Sequence, residues 1–319
     1  MTGDGTPSRM ESLNVPISDG AEGSSHQDNE VIQRGRKLTD ESSVWQHNSW
    51  DDVEWSKERA AEAETIIATQ LANSPHISTL EAVESIVQGP AALQWDRFYT
   101  AHSRWFFKDR LWLRSEFAEL YDQDLGSRIL EVGCGAGNTI FPLARARDDE
   151  ALRIYACDFA PTAVQLVQEF REFDRQRMTV FLHDLALDES FLDIPEGSLD
   201  IIVAIFVLSA LDPGRLPFVF CKLARFLRPG GLVLFRDYGR YDMTQLRFKA
   251  HRLIRPDLYV RGDGTAVHYF AEEEVTGLAQ EAGFEVVEMK TDRRLLVNRF
   301  RKLTMYRVWV QAKFRKLHS

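Results

Sequence analysis

The stretch Arg128-Ile-Leu-Glu-Val-Gly-Cys-Gly-Ala-Gly-Asn138 decides the fold. A short apolar run, interrupted only by Glu131, breaks into three alternate glycines. An apolar strand feeding a G-x-G-x-G turn suits a backbone that must pass close to a nucleotide-like ligand, because side chains at Gly133, Gly135 and Gly137 would fill that space.

Spacing narrows the ligand. The dinucleotide fingerprint is G-x-G-x-x-G, with pyrophosphate seated on the next helix. Here the third glycine comes one residue early, and no Arg or Lys directly follows the turn, so a ligand without phosphate is expected. A second strand, Ile154-Tyr-Ala-Cys-Asp158, ends in an acid suited to accept hydrogen bonds from a ribose diol. A third run ends at His183-Asp184-Leu185, placing an acid where an adenine amino group can donate to it. For any one of these the alternative is a strand-end turn with a capping Asp. All three in order resemble the pattern of class I S-adenosylmethionine (SAM) methyltransferases.

Outward from this core, elements alternate. Strands are expected at 128–132, 153–157, 179–183, 199–206 and 231–236, with helices at 161–174 and 214–227, which implies a parallel sheet with right-handed crossovers. Pro229-Gly230-Gly231 marks a turn into the fifth strand. An insertion over 237–270 follows, then a helix at 272–282 and strands at 284–290 and 303–313. The fold class read from this order is α/β: a class I SAM methyltransferase (Rossmann-like) with a seven-stranded, mostly parallel sheet and helices on both faces.

Residues 1–44 are rich in Ser, Gly, Asp and Glu and read as a disordered tail without the features of a secretory or mitochondrial leader. Residues 45–94 read as an N-terminal helical extension, with an amphipathic helix over Ser56–Leu71, serving substrate and cofactor as a lid. Residues 95–319 read as the catalytic domain. The 319 residues, 44% hydrophobic, suffice for one main domain. Cys134, Cys157 and Cys221 are odd in number and lack C-x-x-C spacing, which argues for a reducing compartment, a cytosolic or nuclear address and no metal. The longest apolar run, Leu199–Leu211, is too short to span a bilayer, and no membrane association is expected.

Charge is uneven. The formal net charge is -9, yet residues 293–319 contain nine Arg and Lys and no Asp or Glu, and Arg240, Arg247, Lys249, Arg252, Arg255 and Arg261 fill the insertion. Local potential decides phosphate contact, so two basic clusters flanking a methyl-transfer site favour a nucleic acid. A solvated basic tail is the alternative for the last few residues.

Several boxes are more specific than the glycine loop: Trp95-Asp-Arg-Phe-Tyr99, Phe106-Phe-Lys-Asp-Arg-Leu-Trp112, Leu234-Phe-Arg-Asp-Tyr-Gly239, Arg247-Phe-Lys-Ala250 and Tyr259-Val-Arg-Gly-Asp-Gly-Thr265. Together they closely resemble the eukaryotic tRNA 3-methylcytidine methyltransferases over about Trp50 to Phe314. Trp50-Asp-Asp-Val-Glu-Trp-Ser56, Arg294-Leu-Leu-Val-Asn-Arg299 and Leu303-Thr-Met-Tyr-Arg-Val-Trp309 look like the branch acting on threonine tRNA, sometimes arginine tRNA, rather than the serine-tRNA branch. The resemblance implies SAM as cofactor, S-adenosyl-L-homocysteine as product, cytidine 32 of the tRNA anticodon arm as target, and a protein partner such as an aminoacyl-tRNA synthetase, a synthetase-like cofactor or a tRNA deaminase.

On these positions the resemblance implies that Trp95 and Tyr99 close over SAM, that Gly133 and Gly135 approach its methionine and ribose, that Asp158 takes the ribose hydroxyls, that Asp184 and Leu185 take the adenine, and that Ile205 lines the floor. N3 of an unpaired cytosine carries its own lone pair, so alignment matters more than a base. The product ring is cationic, and Asp237 is the candidate carboxylate beside it, with a strand-end cap or a partner of Arg236 as the alternative. Arg110 is a second catalytic candidate. The base is expected to swing into a pocket where Phe106 and Phe107 stack on it, one of the two having a core role. Arg236 and Tyr238 join the substrate site, and Lys108, Arg247, Lys249 and Arg261 hold phosphates. Two other readings are a SAM methyltransferase acting on a protein or small molecule, and a tRNA-binding subunit of a larger complex.

Overall fold

The computed structural model describes residues 35–74, 91–105, 107–191 and 193–318. In chain order its regular elements are strand β1 (Ser49–Trp50), helices α1 (Lys57–Asn73), α2 (Ala91–His102) and α3 (Leu113–Glu116), strand β2 (Arg128–Val132), α4 (Ile140–Ala146), β3 (Arg153–Asp158), α5 (Pro161–Gln168), β4 (Met178–Leu182), β5 (Leu199–Ile205), α6 (Leu216–Phe226), β6 (Leu227–Tyr238), α7 (Met243–Arg247), β7 (Leu253–Arg255), β8 (Leu258–Val260), β9 (Ala266–His268), α8 (Glu272–Glu281), β10 (Phe284–Asn298) and β11 (Leu303–Lys316).

The main sheet runs β1-β10-β11-β6-β5-β2-β3-β4. The five strands from β6 to β4 are parallel, whereas β11 runs antiparallel to both β6 and β10. This is the class I methyltransferase arrangement, with a late hairpin folded back beside the fifth parallel strand. The sequence leads there because β5 and the inner half of β6 are almost continuously apolar, as strands covered on both faces must be. One core cluster, including Leu130, Ile202, Phe220, Phe235 and Phe314, lies under α6 and α8, and a second, including Ile129, Phe141, Ile154 and Val203, lies under the other face.

The sheet has eight strands where seven were expected. The extra one is β1, pairing Ser49 with Leu296 and Trp50 with Leu295. It exists because β10 and β11 extend well past the expected 284–290 and 303–313, offering an edge to pair with. Trp50 is buried with Leu295 and Val297, and Leu38, Val44 and Trp45 pack on that cluster. Most of the expected tail, 1–44, lies outside the described residues. Its last part is folded, with a 3-10 helix over Glu41–Gln46 capped by Asp40.

Other boundaries moved for local reasons. The helix expected over 161–174 stops at Gln168, after which Phe170 and Phe173 pack against the second core cluster. The fifth strand begins at Leu227 and absorbs Pro229-Gly230-Gly231 as an irregularity, its register with β5 jumping from Leu199↔Leu227 to Ile201↔Leu232. The insertion carries α7 and a separate antiparallel sheet, β7-β8-β9. Gln70 of α1 ties the N-terminal extension to it, donating to the carbonyls of Gln245 and Phe248 and accepting from the Tyr259 hydroxyl. No helix among the described residues is long and apolar enough to cross a membrane.

Candidate active site

The parallel strands end on one edge of the sheet, and β2 lies between β3 and β5, the point where strand order reverses and where open α/β sheets bind ligands. A cavity of about 50 Å³ sits there, lined by Trp95, Tyr99, Gly133, Cys157, Asp158, Phe159, His183, Leu185, Phe206, Val207, Ala210 and Leu211. Gly133 has φ +64, and a Cβ there would overlap Val207, so glycine is required by the protein's own packing as well as by a ligand.

Asp158 organises this cavity. Its carboxylate accepts from the Gly135 amide at 2.9 Å and from the Ala160 amide at 3.0 Å. Burial lifts its pKa to about 6, against the opposing pull of those amides. Glu131 is also buried, on the neighbouring strand, and burial raises it to about 7 although Arg110 lies 3.1 Å away.

The W-D-x-F-Y and F-F-K-D-R-x-W boxes become legible as a closure device. Tyr99 stands over the glycine loop, so near that a Cβ on Gly135 would come within 2.5 Å of its hydroxyl oxygen. The Trp95 and Tyr99 rings lie 6.2 Å apart, and Tyr99 packs on Ala160 and Ala163. Asp96 accepts from the Thr162 amide at 2.8 Å and so caps α5, docking α2 onto the strand-end turn. Asn138, closing the glycine loop, donates to the Phe107 carbonyl and accepts from the Arg110 amide. The Arg110 guanidinium donates to Glu131 and to the Thr139 hydroxyl.

Of the expected cofactor residues, Trp95, Tyr99, Gly133, Asp158 and Leu185 line the cavity, and Gly135 forms its loop through the Asp158 bond. Two do not. Asp184 is not among the lining residues and accepts from the Ala186 and Leu187 amides, the turn-capping role held as the alternative. Ile205 is buried in the second core cluster, and the wall is made instead by Phe206. Phe206 has φ +55, an uncommon conformation for an aromatic residue and one that marks constrained sites. His183, Phe159 and Val207 were missed because nothing in their local pattern separates a cavity wall from core.

The expected catalytic and substrate residues are scattered more widely. Asp237 is fully buried, accepting from the Ser209 and Tyr238 amides, and burial raises its pKa. It is therefore enclosed rather than presented to a base, and it holds the 206–211 wall in place. Arg236 is also buried, donating to Asp292 and Gln311 and lying over the rings of Trp112 and Trp309. That places it in a buried ion network. Tyr238 packs on Phe206 at 5.1 Å, and the Arg261 guanidinium lies over Tyr238 at 5.5 Å, so these two do border the site. Phe107 packs against Phe98 in the closure cluster, the core role foreseen for one of the pair, while Phe106 lies outside the described residues. Lys108, Arg247 and Lys249 are exposed.

Charge pairing trims the basic clusters. Arg294 contacts Asp51, Glu116 and Asp292, Arg307 binds Asp242, and Lys313 binds Glu119 and Glu288. Arg293, Arg299, Arg301 and Lys302 remain exposed. Among the described residues, no group of three or more His, Cys, Asp or Glu is placed to hold a metal ion.

Behind the cavity wall lies Lys222, 2% exposed. Its ammonium donates to the carbonyls of Leu185 and Asp188 at 2.6 and 2.7 Å and reaches His183 Nε2 at 3.2 Å. Burial lowers His183 to about 4, so near neutral pH its Nε2 accepts from Lys222 and its Nδ1–H faces Asp188. Lys222→Met is expected to raise the SAM KM about tenfold with kcat unchanged, because the wall loses three bonds from a charged donor while the reacting atoms are untouched. Steady-state kinetics at saturating tRNA test this, and a fall in kcat alone would contradict it.

A family model described as a methyltransferase domain matches residues 105–289. The chain is 45% identical to the Drosophila melanogaster protein named tRNA N(3)-methylcytidine methyltransferase Mettl2, covering 88% of this chain and 87% of that one. It is 39% identical to the Homo sapiens tRNA N(3)-cytidine methyltransferase METTL2B, covering 88% and 92%. It is also 44% identical to the Saccharomyces cerevisiae tRNA(Thr) (cytosine(32)-N(3))-methyltransferase, covering 88% of this chain and 45% of that longer one.

Proposed function

The chain belongs to the tRNA N(3)-cytidine methyltransferase family, and from that premise we propose that it methylates N3 of cytidine 32 in the anticodon loop of threonine tRNA, with SAM as donor. The observation that carries the target is the 44% identity to the yeast protein whose name specifies that tRNA and that base. Arginine and serine tRNAs are the other candidate substrates.

The cavity suits a nucleoside that carries no phosphate. It offers a buried carboxylate, aromatic and aliphatic walls and a glycine loop, with no cation among its lining residues. When bound, SAM supplies a methyl group already activated by its sulfonium. The work left to the chain is placement. Trp95 and Tyr99 enclose the ligand and exclude water, Asp158 holds the loop and can accept from ribose hydroxyls, and Lys222 with Asp237 fixes the walls from behind. Phe206, Tyr238 and Arg261 border the side on which a swung-out base would enter. Arg110 is held by Glu131 and the Thr139 hydroxyl.

Incubating the purified protein with SAM and total tRNA, followed by nucleoside mass spectrometry, is expected to show a rise in 3-methylcytidine that maps to threonine tRNA. SAM binding without that rise would favour the alternative in which the chain presents tRNA within a complex, and co-purification of a synthetase, a synthetase-like protein or a deaminase would identify the partner. Methyl transfer to protein instead of RNA would overturn the proposal. A cytosolic or nuclear location belongs to the same proposal, and fractionation of tagged protein tests it.

A further inference from the structure

The hairpin of β10 and β11 outgrows the sheet. β11 pairs with β6 only from Trp309, opposite Tyr238, onward. Residues 303–308 continue beyond the end of β6, which at about 3.3 Å per residue carries the tip roughly 20 Å past that strand's end. They leave from the carboxyl edge of the parallel strands, the edge that holds the cofactor cavity.

The arm is braced. β1 pairs with its outer side, Arg299 Nε donates to Asn48 Oδ1 at 2.8 Å, and the Lys302 ammonium lies 4.8 Å from the Trp45 ring. Asn298 accepts from the Arg301 amide and closes the turn. At the summit of this supported turn Phe300 is 96% exposed, beside exposed Arg299, Arg301, Lys302 and Leu303. A lone exposed phenylalanine means little. An aromatic ring carried on a braced arm among cations, in a stretch with no acid from 293 to 319, has the makings of single-stranded nucleic-acid contact: a face for a base and charges for its flanking phosphates.

We propose that this hairpin tip is a second tRNA contact, with Phe300 stacking on an unpaired base and Arg301 and Lys302 holding neighbouring phosphates while the target base occupies the cavity edge. The proposal rests on the tRNA reading above and adds where, away from the reacting base, the substrate is gripped. The charge of the tip favours RNA over a protein partner.

The test is steady-state methylation of tRNA by the full chain. Phe300→Ala is expected to raise the KM for tRNA about tenfold, leaving kcat and the KM for SAM unchanged, since the loss is one base stack remote from the chemistry. Phe300→Trp should keep near wild-type KM and Phe300→Leu should behave as Ala. An unchanged KM in Phe300→Ala overturns the proposal while the tRNA reading stands. Full retention by Leu overturns stacking, and loss of a co-purifying protein with unaltered tRNA KM assigns the tip to that protein instead. If the wild-type chain neither binds nor methylates tRNA, the functional reading itself falls and takes this proposal with it. Phe300 is exposed and makes no core contact, so misfolding does not confuse these outcomes.

Discussion

Asp158→Ala is expected to weaken SAM binding by about a hundredfold to a thousandfold. The substitution leaves two amides of the cavity wall, those of Gly135 and Ala160, without an acceptor, and removes the carboxylate offered to the ribose. Each unsatisfied buried donor costs about 1–3 kcal/mol, and bonds to a charged acceptor are worth about as much again. Isothermal titration with SAM measures the effect, and less than a tenfold loss would show that the carboxylate does not serve the ligand.

The same residue predicts opposite pH responses for binding and stability. Its folded pKa of about 6 lies above the ordinary 3.8 of a carboxyl. Between pH 6 and 4 the folded chain therefore takes up a proton while the unfolded chain remains ionised, so acidification through this window favours the fold at this position. Glu131, raised to about 7, acts in the same sense from slightly higher pH. Ligand binding uses the ionised oxygens and weakens across the same range, by up to about tenfold per unit below pH 6. SAM affinity should thus be level above about pH 7 and fall below 6, while the melting temperature of Asp158→Asn without SAM loses the corresponding acid-side gain.

Arg236→Ala is expected to destabilise the fold by about 3 kcal/mol, the lower end for breaking a buried ion pair, because Asp292 keeps Arg294 at 3.0 Å. For a chain of this size that is a fall of roughly 4–6 °C in melting temperature. Arg236→Met combined with Asp292→Leu should recover part of the loss, since no buried carboxylate is then left short of a partner. Below the transition the KM for tRNA should be unaltered. A stable Arg236→Ala protein with weakened tRNA binding would instead restore the substrate role expected from sequence.

The parallel half of the fold was legible because its signals are local. Apolar runs gave β2, β3 and β5 almost to the residue, and the loop glycines and Asp158 stand where spacing put them. What sequence could not show was partnership. Arg294 and Arg307 look like phosphate ligands in a basic stretch and Arg236 like a substrate contact, yet the acids they bind, Glu116, Asp242 and Asp292, come from other parts of the chain. Asp158 and Asp184 both accept from the amide two residues on, and it is the further bond from the Gly135 amide that ties Asp158 to the cavity. Phe206 carries no sequence sign of its left-handed backbone, because the surrounding packing imposes it.

The small volume of the cavity carries one more implication. Sites for molecules of SAM's size usually measure about 300–1,000 Å³, several times the 50 Å³ present with Trp95 and Tyr99 in place. A form of the site wide enough for SAM would have those two rings farther apart from the glycine loop. Apparent affinity equals the intrinsic affinity multiplied by the open fraction, so a closed form favoured about tenfold would make the enzyme need about ten times more cofactor for half-saturation than its walls alone dictate. By linkage, a macromolecule that favours that same wider, SAM-holding form would sensitise the enzyme to scarce cofactor without contacting the cavity, and the cofactor would strengthen its binding by the same factor.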